Sequence, residues 1–417
     1  MSDRRSTLGK MKWPWSLVAP LCSLLLAGTV ARGDEIACPF AAGARASVTL
    51  GITEPQRRAI PIDHVIVVMQ ENRSFDHHFG TLSGAGQPAA EPLPRSFSNP
   101  DPATGTAVFP QRAPTTCLKE DPPHHRDAMH RQWNDGRMDG FVRSGGRQTM
   151  TYYTAAELPF YHWLARTFAL SDRHFSPVLG GTWQNRQFLY AGTAAARGKT
   201  GVLNARTIFD ALDDAGTSWG VFADDGVRQD CIGWTLRHRG VQPVAGFLAD
   251  LAAGQLPQVA FVDASEEDEH PPSDVQEGEQ WFRRIYAAAV ASPLWPRLAI
   301  LFTYDESGGF FDHVPPPRAC PPSADRPQFG QRGMRIPFIV ISPWARPAAV
   351  SHQPSDHSSI LRFIELLHDV PALSARDANA SAFLDLFDFT RPQLLTPPPA
   401  PAAGRGGCPP RTAQNPR

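Results

Sequence analysis

From about residue 60 the chain alternates short runs of apolar, β-branched residues with stretches whose apolar positions recur every three or four residues. His64–Met69, Ser218–Ala223, Gln258–Val262, Leu298–Thr303 and Ile336–Ile341 read as strands, because each run is too short for a buried helix and is bounded by polar or turn residues. Helical spacing covers Arg206–Ala215, where Ile208, Phe209 and Leu212 share a face before Gly216, and Val244–Ala253. Ser273 and Asp274 cap a helix running to about Val290, with Phe282, Ile285 and Tyr286 on one face. Ser355 and Asp356 open another over Ile360–Leu367. Strands alternating with helices predict an α/β fold with a central, mostly parallel sheet flanked by helices.

The flanks differ in pattern. Residues 1–33 combine a basic start (Arg4, Arg5, Lys10, Lys12), an apolar run from Trp13 to Val30 and the small residues Ala31 and Gly33, which predicts a secretory signal peptide. Arg4-Arg5-Ser6-Thr7-Leu8 loosely resembles a twin-arginine signal, so either export route stays open, to a periplasmic or secreted destination. Residues 34–59 read as an N-terminal extension, 60–392 as the functional domain, and 393–417 as a Pro/Ala-rich tail expected to be disordered. Gly84–Gly146 is a long Pro- and Gly-rich stretch of the kind that is functional or disordered.

Composition changes this picture little. Apolar residues make up 42% of 417, enough for a sizeable core, and the formal net charge of -1 gives no basic footprint for nucleic acid. Once the signal is removed, Cys38, Cys117, Cys231, Cys320 and Cys408 remain, with no CxxC pair. One or two disulfides would suit an oxidising compartment, with at least one thiol left over and the pairing open.

Chemistry collects at the strand ends. His64–Met69 runs into Gln70-Glu71-Asn72-Arg73, and Leu298–Thr303 runs into Tyr304-Asp305-Glu306. Open α/β sheets bind ligands beyond the carboxyl ends of their strands. If these two strands are parallel neighbours, Glu71, Asn72, Asp305 and Glu306 converge. Three carboxylates that close repel one another, and a divalent cation relieves the conflict; an all-oxygen set suits a hard metal. A carboxylate at a strand end is often only a cap, and of the 14 histidines His64, His77, His162, His238, His352 and His368 read as ordinary surface or core residues.

Six ordered blocks sharpen the reading. They are Glu71–Gly80 (ENRSFDHHFG), His124 with Gln132–Phe141, Gly180–Arg186 (GGTWQNR), Glu269–Pro272 (EHPP), Thr303–Val314 and Asp356–Glu365. Together they resemble the bacterial phosphoesterase family that includes phospholipases C and metal-dependent acid phosphatases. The resemblance spans about residues 60–390. It implies an alkaline-phosphatase-like core and one divalent metal ion of unknown identity held by Glu71, Asn72, Thr182, Asp305 and Glu306. Thr182 would also be the nucleophile, activated by the metal, with His270 and His124 on the phosphoryl group and His357 and His313 as secondary candidates. On its own, Gly180-Gly181-Thr182 reads as an ordinary tight turn.

The expected function is hydrolysis of phosphodiesters in the manner of a phospholipase C, through a phosphothreonine. The alternatives are an acid phosphatase acting on phosphomonoesters, or a non-catalytic exported binding protein of the same fold. The expected partners are a phosphate-ester or phospholipid substrate, with transient membrane-surface contact and no nucleic acid. Gly181, Gln184, Ser307 and Arg126 depart from the commoner family pattern, and they bear on the shape of the substrate pocket.

Overall fold

A computed structural model describes residues 36–195, 203–224, 240–265 and 267–408. The proposed signal peptide, Cys22, Cys231 and His238 lie outside them. Seven strands form the central sheet: β1 (His64–Gln70), β2 (Ala169–Ser171), β3 (Trp219–Phe222), β4 (Val259–Asp263), β5 (Leu298–Tyr304), β6 (Phe338–Ile341) and β7 (Val350–Ser351). Their spatial order is β7-β2-β6-β5-β1-β4-β3. The run β3-β4-β1-β5 is parallel, β6 is antiparallel to both β5 and β2, and β7 is parallel to β2. The α/β fold with a mostly parallel sheet is therefore as the alternation predicts.

Helices α1 (Pro159–Thr167), α2 (Thr182–Ala191), α3 (Ile208–Asp214), α4 (Val244–Ala253), α5 (Val275–Ala291) and α6 (His357–His368) accompany the sheet. Every residue of β4 and β5 is buried, as expected of parallel strands covered on both faces. The predicted helix start at Asp274 is real: its carboxylate accepts from Gln276 N at 3.0 Å. Asp356 likewise caps α6, accepting from Ser358 N at 2.9 Å.

Two expectations change and a third is narrowed. Gly180-Gly181-Thr182 is more than a tight turn, because Thr182 opens the ten-residue helix α2. Of the two readings of the stretch 84–146, functional or disordered, the second falls away, since it is built around short strands and the helix Arg126–Trp133. The tail, expected to be disordered from residue 393, is fastened as far as Cys408. Gly404 N donates to Glu279 at 2.6 Å, and Arg283 donates to Pro401 O at 2.7 Å. Gly407 N donates to Asp274 at 2.8 Å, and Cys408 is disulfide-bonded to Cys117. A second disulfide, Cys38–Cys320, holds the N-terminal extension. Among the described residues no helix is long and apolar enough to cross a membrane.

Candidate active site

Strand register assembles the site. β1 and β5 are parallel neighbours with Gln70 beside Tyr304, so Glu71-Asn72 and Asp305-Glu306 leave the sheet side by side. All four are buried. Asn72 has a left-handed backbone (φ 66), and its N–H donates to Asp305 Oδ1 at 3.1 Å. Glu306 N donates to the same oxygen at 2.7 Å, and Glu306 Oε2 accepts from Gly308 N at 2.8 Å. Gly308 is required here: its φ is +61 and a Cβ would lie 2.3 Å from the Asn72 carbonyl oxygen.

Thr182 arrives from the next layer. The side chain of Asn185 fastens the turn before α2, donating to Gly180 O (2.8 Å) and accepting from Val178 N (3.1 Å). Gly181 is the N-cap, and Thr182 is the first residue of the helix, half-buried, with its side chain beside the Asp305 carboxyl. One turn further on, buried Arg186 donates to Asp263 (2.5 Å) and Glu71 (3.1 Å), and its Nε lies 3.9 Å from Asp305.

The electrostatics favour a cation. Burial pushes Asp305 up to about 7, with Glu71 adding to the effect, and burial pushes Glu306 well above the carboxylate range. Asp305 Oδ2 is buried and has no hydrogen-bond partner among the described residues. The Asn72 amide can stand two ways. With NH2 toward the acids, it donates to Glu306 at 2.8 Å and Asp305 at 3.3 Å while its oxygen accepts from His270 Nε2 at 2.8 Å. Reversed, three oxygens face one another, which requires a positive charge among them. The second arrangement suits a neutral His270, whose Nδ1 already faces the Pro271 carbonyl at 2.6 Å. The residues thus fit a hard divalent ion bound through Glu71, Asn72, Asp305, Glu306 and the Thr182 oxygen.

Two histidines cover this cradle, their rings 5.4 Å apart. Burial would pull His124 down, but Glu306 and then Asp121 outweigh it and hold the imidazole up at about 10. Burial lowers His270, with Glu71 and Asp121 only partly offsetting it. One ring is therefore a cation and its neighbour neutral near pH 7. Asp121 lies 3.3 Å from His124 Nδ1 and 4.0 Å from His270 Nε2.

The two secondary candidates are placed differently. Both nitrogens of buried His357 face backbone carbonyls, of Asn185 at 3.0 Å and Tyr304 at 2.9 Å, so it ties α2 to the end of β5. His313 belongs to another buried network. Its Nδ1 faces Asp76 at 2.6 Å, and Asp76 is itself paired with Arg335. Sequence reasoning did not single out Asp121 or Arg186, and it gave no partner to Asp263, at its strand end, or to Glu269, in the EHPP block. Glu269 is buried beneath His270 and accepts from Tyr161 at 2.7 Å. The only local signals were Asp121 three residues before His124 and Arg186 four after Thr182.

The family model described as the phosphoesterase family matches residues 62–371. The chain belongs to the phosphoesterase family. Hydrolysis of phosphoester bonds is the reaction of its curated relatives by name. The chain is 30% identical to the non-hemolytic phospholipase C of Burkholderia pseudomallei over 73% of its length, but spans only 55% of that relative. It is 32% identical to phospholipase C A of Mycobacterium tuberculosis (81% of this chain, 79% of that one). It is 28% identical to non-specific phospholipase C3 of Arabidopsis thaliana (83% and 77%). Among solved structures, a Vibrio parahaemolyticus protein in the alkaline phosphatase superfamily aligns at 10% identity and TM-score 0.44, covering 76% of this phosphoesterase and 69% of that chain.

Proposed function

We propose that this phosphoesterase is an exported, metal-dependent hydrolase of phosphodiesters, phospholipase C-like, with Thr182 as its nucleophile. The observation carrying the reading is the Thr182 side chain beside the Asp305 carboxyl, at a helix start, beneath one charged and one neutral histidine. A divalent ion held by Glu71, Asn72, Asp305, Glu306 and Thr182 would lower the hydroxyl pKa and offset phosphoryl charge. The first-turn N–H groups of α2 favour an anionic phosphoryl group beside Thr182. With its proton given up to solvent, Thr182 Oγ attacks phosphorus, the bond to the leaving alcohol breaks, and His124 gives that alcohol a proton. Water then gives one proton back to His124 as its oxygen attacks the phosphothreonine, releasing a phosphomonoester and the Thr182 alkoxide. His270, whose Nε2 meets the Asn72 amide and whose Nδ1 faces the Pro271 carbonyl, would hold the Asn72 oxygen toward the ion.

Relatives named phospholipase C support the diester preference. Two disulfides support an oxidising destination, in keeping with the signal-like start. Lipid substrates would require transient contact with a membrane surface.

Initial rates on p-nitrophenyl phosphorylcholine and p-nitrophenyl phosphate, with and without chelator, test the proposal in wild type and Thr182→Val. The expected result is chelator-sensitive cleavage of the diester that falls at least about 10⁴-fold in the variant, as for other removed nucleophiles. Undiminished turnover by Thr182→Val would refute it, and faster turnover of the monoester would make the enzyme a phosphatase.

A further inference from the structure

Arg186 is fully buried, and its guanidinium meets acids from three strands. Asp263 ends β4, Glu71 follows β1, and Asp305 follows β5. The arginine sits on α2 one helical turn from Thr182, so the same rigid element carries the nucleophile and this cation. Neither Glu71 nor Asp305 can be reoriented without disturbing it. Four acids (Glu71, Asp263, Asp305, Glu306) are buried in and beside the cradle, more charge than one divalent ion would balance, and arginine stays charged in any protein environment.

We infer that Arg186 is a positioning residue, a fixed cation behind the metal cradle. It keeps Glu71 and Asp305 aimed before any ion arrives and locks Thr182 in register with them. This rests on the metal-cradle reading above. Lysine cannot reproduce the contact, since one ammonium cannot reach Asp263 and Glu71 along two separate N–H directions.

The test is thermal unfolding of full-length wild type, Arg186→Gln, Arg186→Lys and Arg186→Gln/Asp263→Asn. Each is stripped with chelator and then titrated with Mg²⁺, Mn²⁺, Ca²⁺ or Zn²⁺ alone. If Arg186 supplies the missing charge, stripped Arg186→Gln melts well below stripped wild type, and the best ion raises its midpoint by at least about 5 °C more than it raises wild type. The double variant should recover part of the stripped-state loss, because the Asp263 charge that faced Arg186 is gone. Arg186→Lys should bind the ion yet turn over more slowly at saturating ion, a loss in kcat without a matching change in KM. An equal drop in Arg186→Gln with and without ion would overturn the inference and leave Arg186 a purely structural pair with Asp263. If no ion stabilises wild type, the cradle itself falls, and the role of Arg186 with it.

Discussion

Gly278 sets two effects of opposite sign against each other. It lies in the first turns of α5, where alanine should be better by about 1 kcal/mol on helix propensity alone. A Cβ there would stand 2.3 Å from Glu269 Cγ and 2.5 Å from its Oε1. Glu269 cannot simply move away. Its carboxyl accepts from Tyr161 at 2.7 Å, contacts Tyr304 and His78 at 3.1 Å, and is fully buried. Overpacking costs about 1–3 kcal/mol, and breaking a buried hydrogen bond costs about 1–3 more. Against the propensity gain, Gly278→Ala should be destabilised by roughly 3 kcal/mol. Gly246, in α4, is the control: a Cβ there meets nothing within 4 Å, so Gly246→Ala should gain up to about 1 kcal/mol. Urea unfolding of the three oxidised proteins measures both. Because His270 follows Glu269 in the chain, diester turnover should fall in Gly278→Ala and stay unchanged in Gly246→Ala. Gly278→Ala as stable as wild type would refute the packing argument.

Two further outcomes follow from buried charge. Asp356 pairs with Arg332 at 2.6 Å and Arg376 at 3.0 Å while capping α6, so Asp356→Asn should cost about 3–5 kcal/mol in denaturant unfolding; a loss under about 1 kcal/mol would contradict it. His162 is buried, and burial lowers its pKa to about 4. The unfolded chain therefore takes the proton first, and the contribution is intact above about pH 6.5 and lost as pH falls toward 4, up to about 3 kcal/mol. Unfolding midpoints across that window should slope less in His162→Gln than in wild type, and parallel slopes would count against the assignment.

The central strands were legible because parallel strands buried on both faces read as unbroken apolar runs; β1 and β5 run one residue past the expected end, and β4 is shifted by one residue. Strands β2 and β7 are three and two residues long, too short to carry a pattern. Helix α2 escaped because it buries Asn185, Arg186 and Gln187 beneath the site, the reverse of an amphipathic surface helix. The cradle acids could be foreseen from their places at strand ends. Arg186 and Asp263 could not be paired, since 77 residues separate them and only the finished sheet brings them together. The tail misled for a related reason: its Pro- and Gly-rich composition is that of a linker, while its anchors, Cys117 and Asp274, lie far back in the chain.

That anchoring has a consequence for the order in which the molecule is completed. Cys117 stands four residues before Asp121 and seven before His124, and its partner Cys408 lies 291 positions later. A chain synthesised as far as residue 400 already holds the nucleophile and every cradle oxygen. The segment leading to the two histidines' shared acid still lacks its clasp, and thiol oxidation must then close it. Assembly of the nucleophile and of the roof above it are thus separate events, the second tied to synthesis of the segment that carries Cys408 and to the redox state around it.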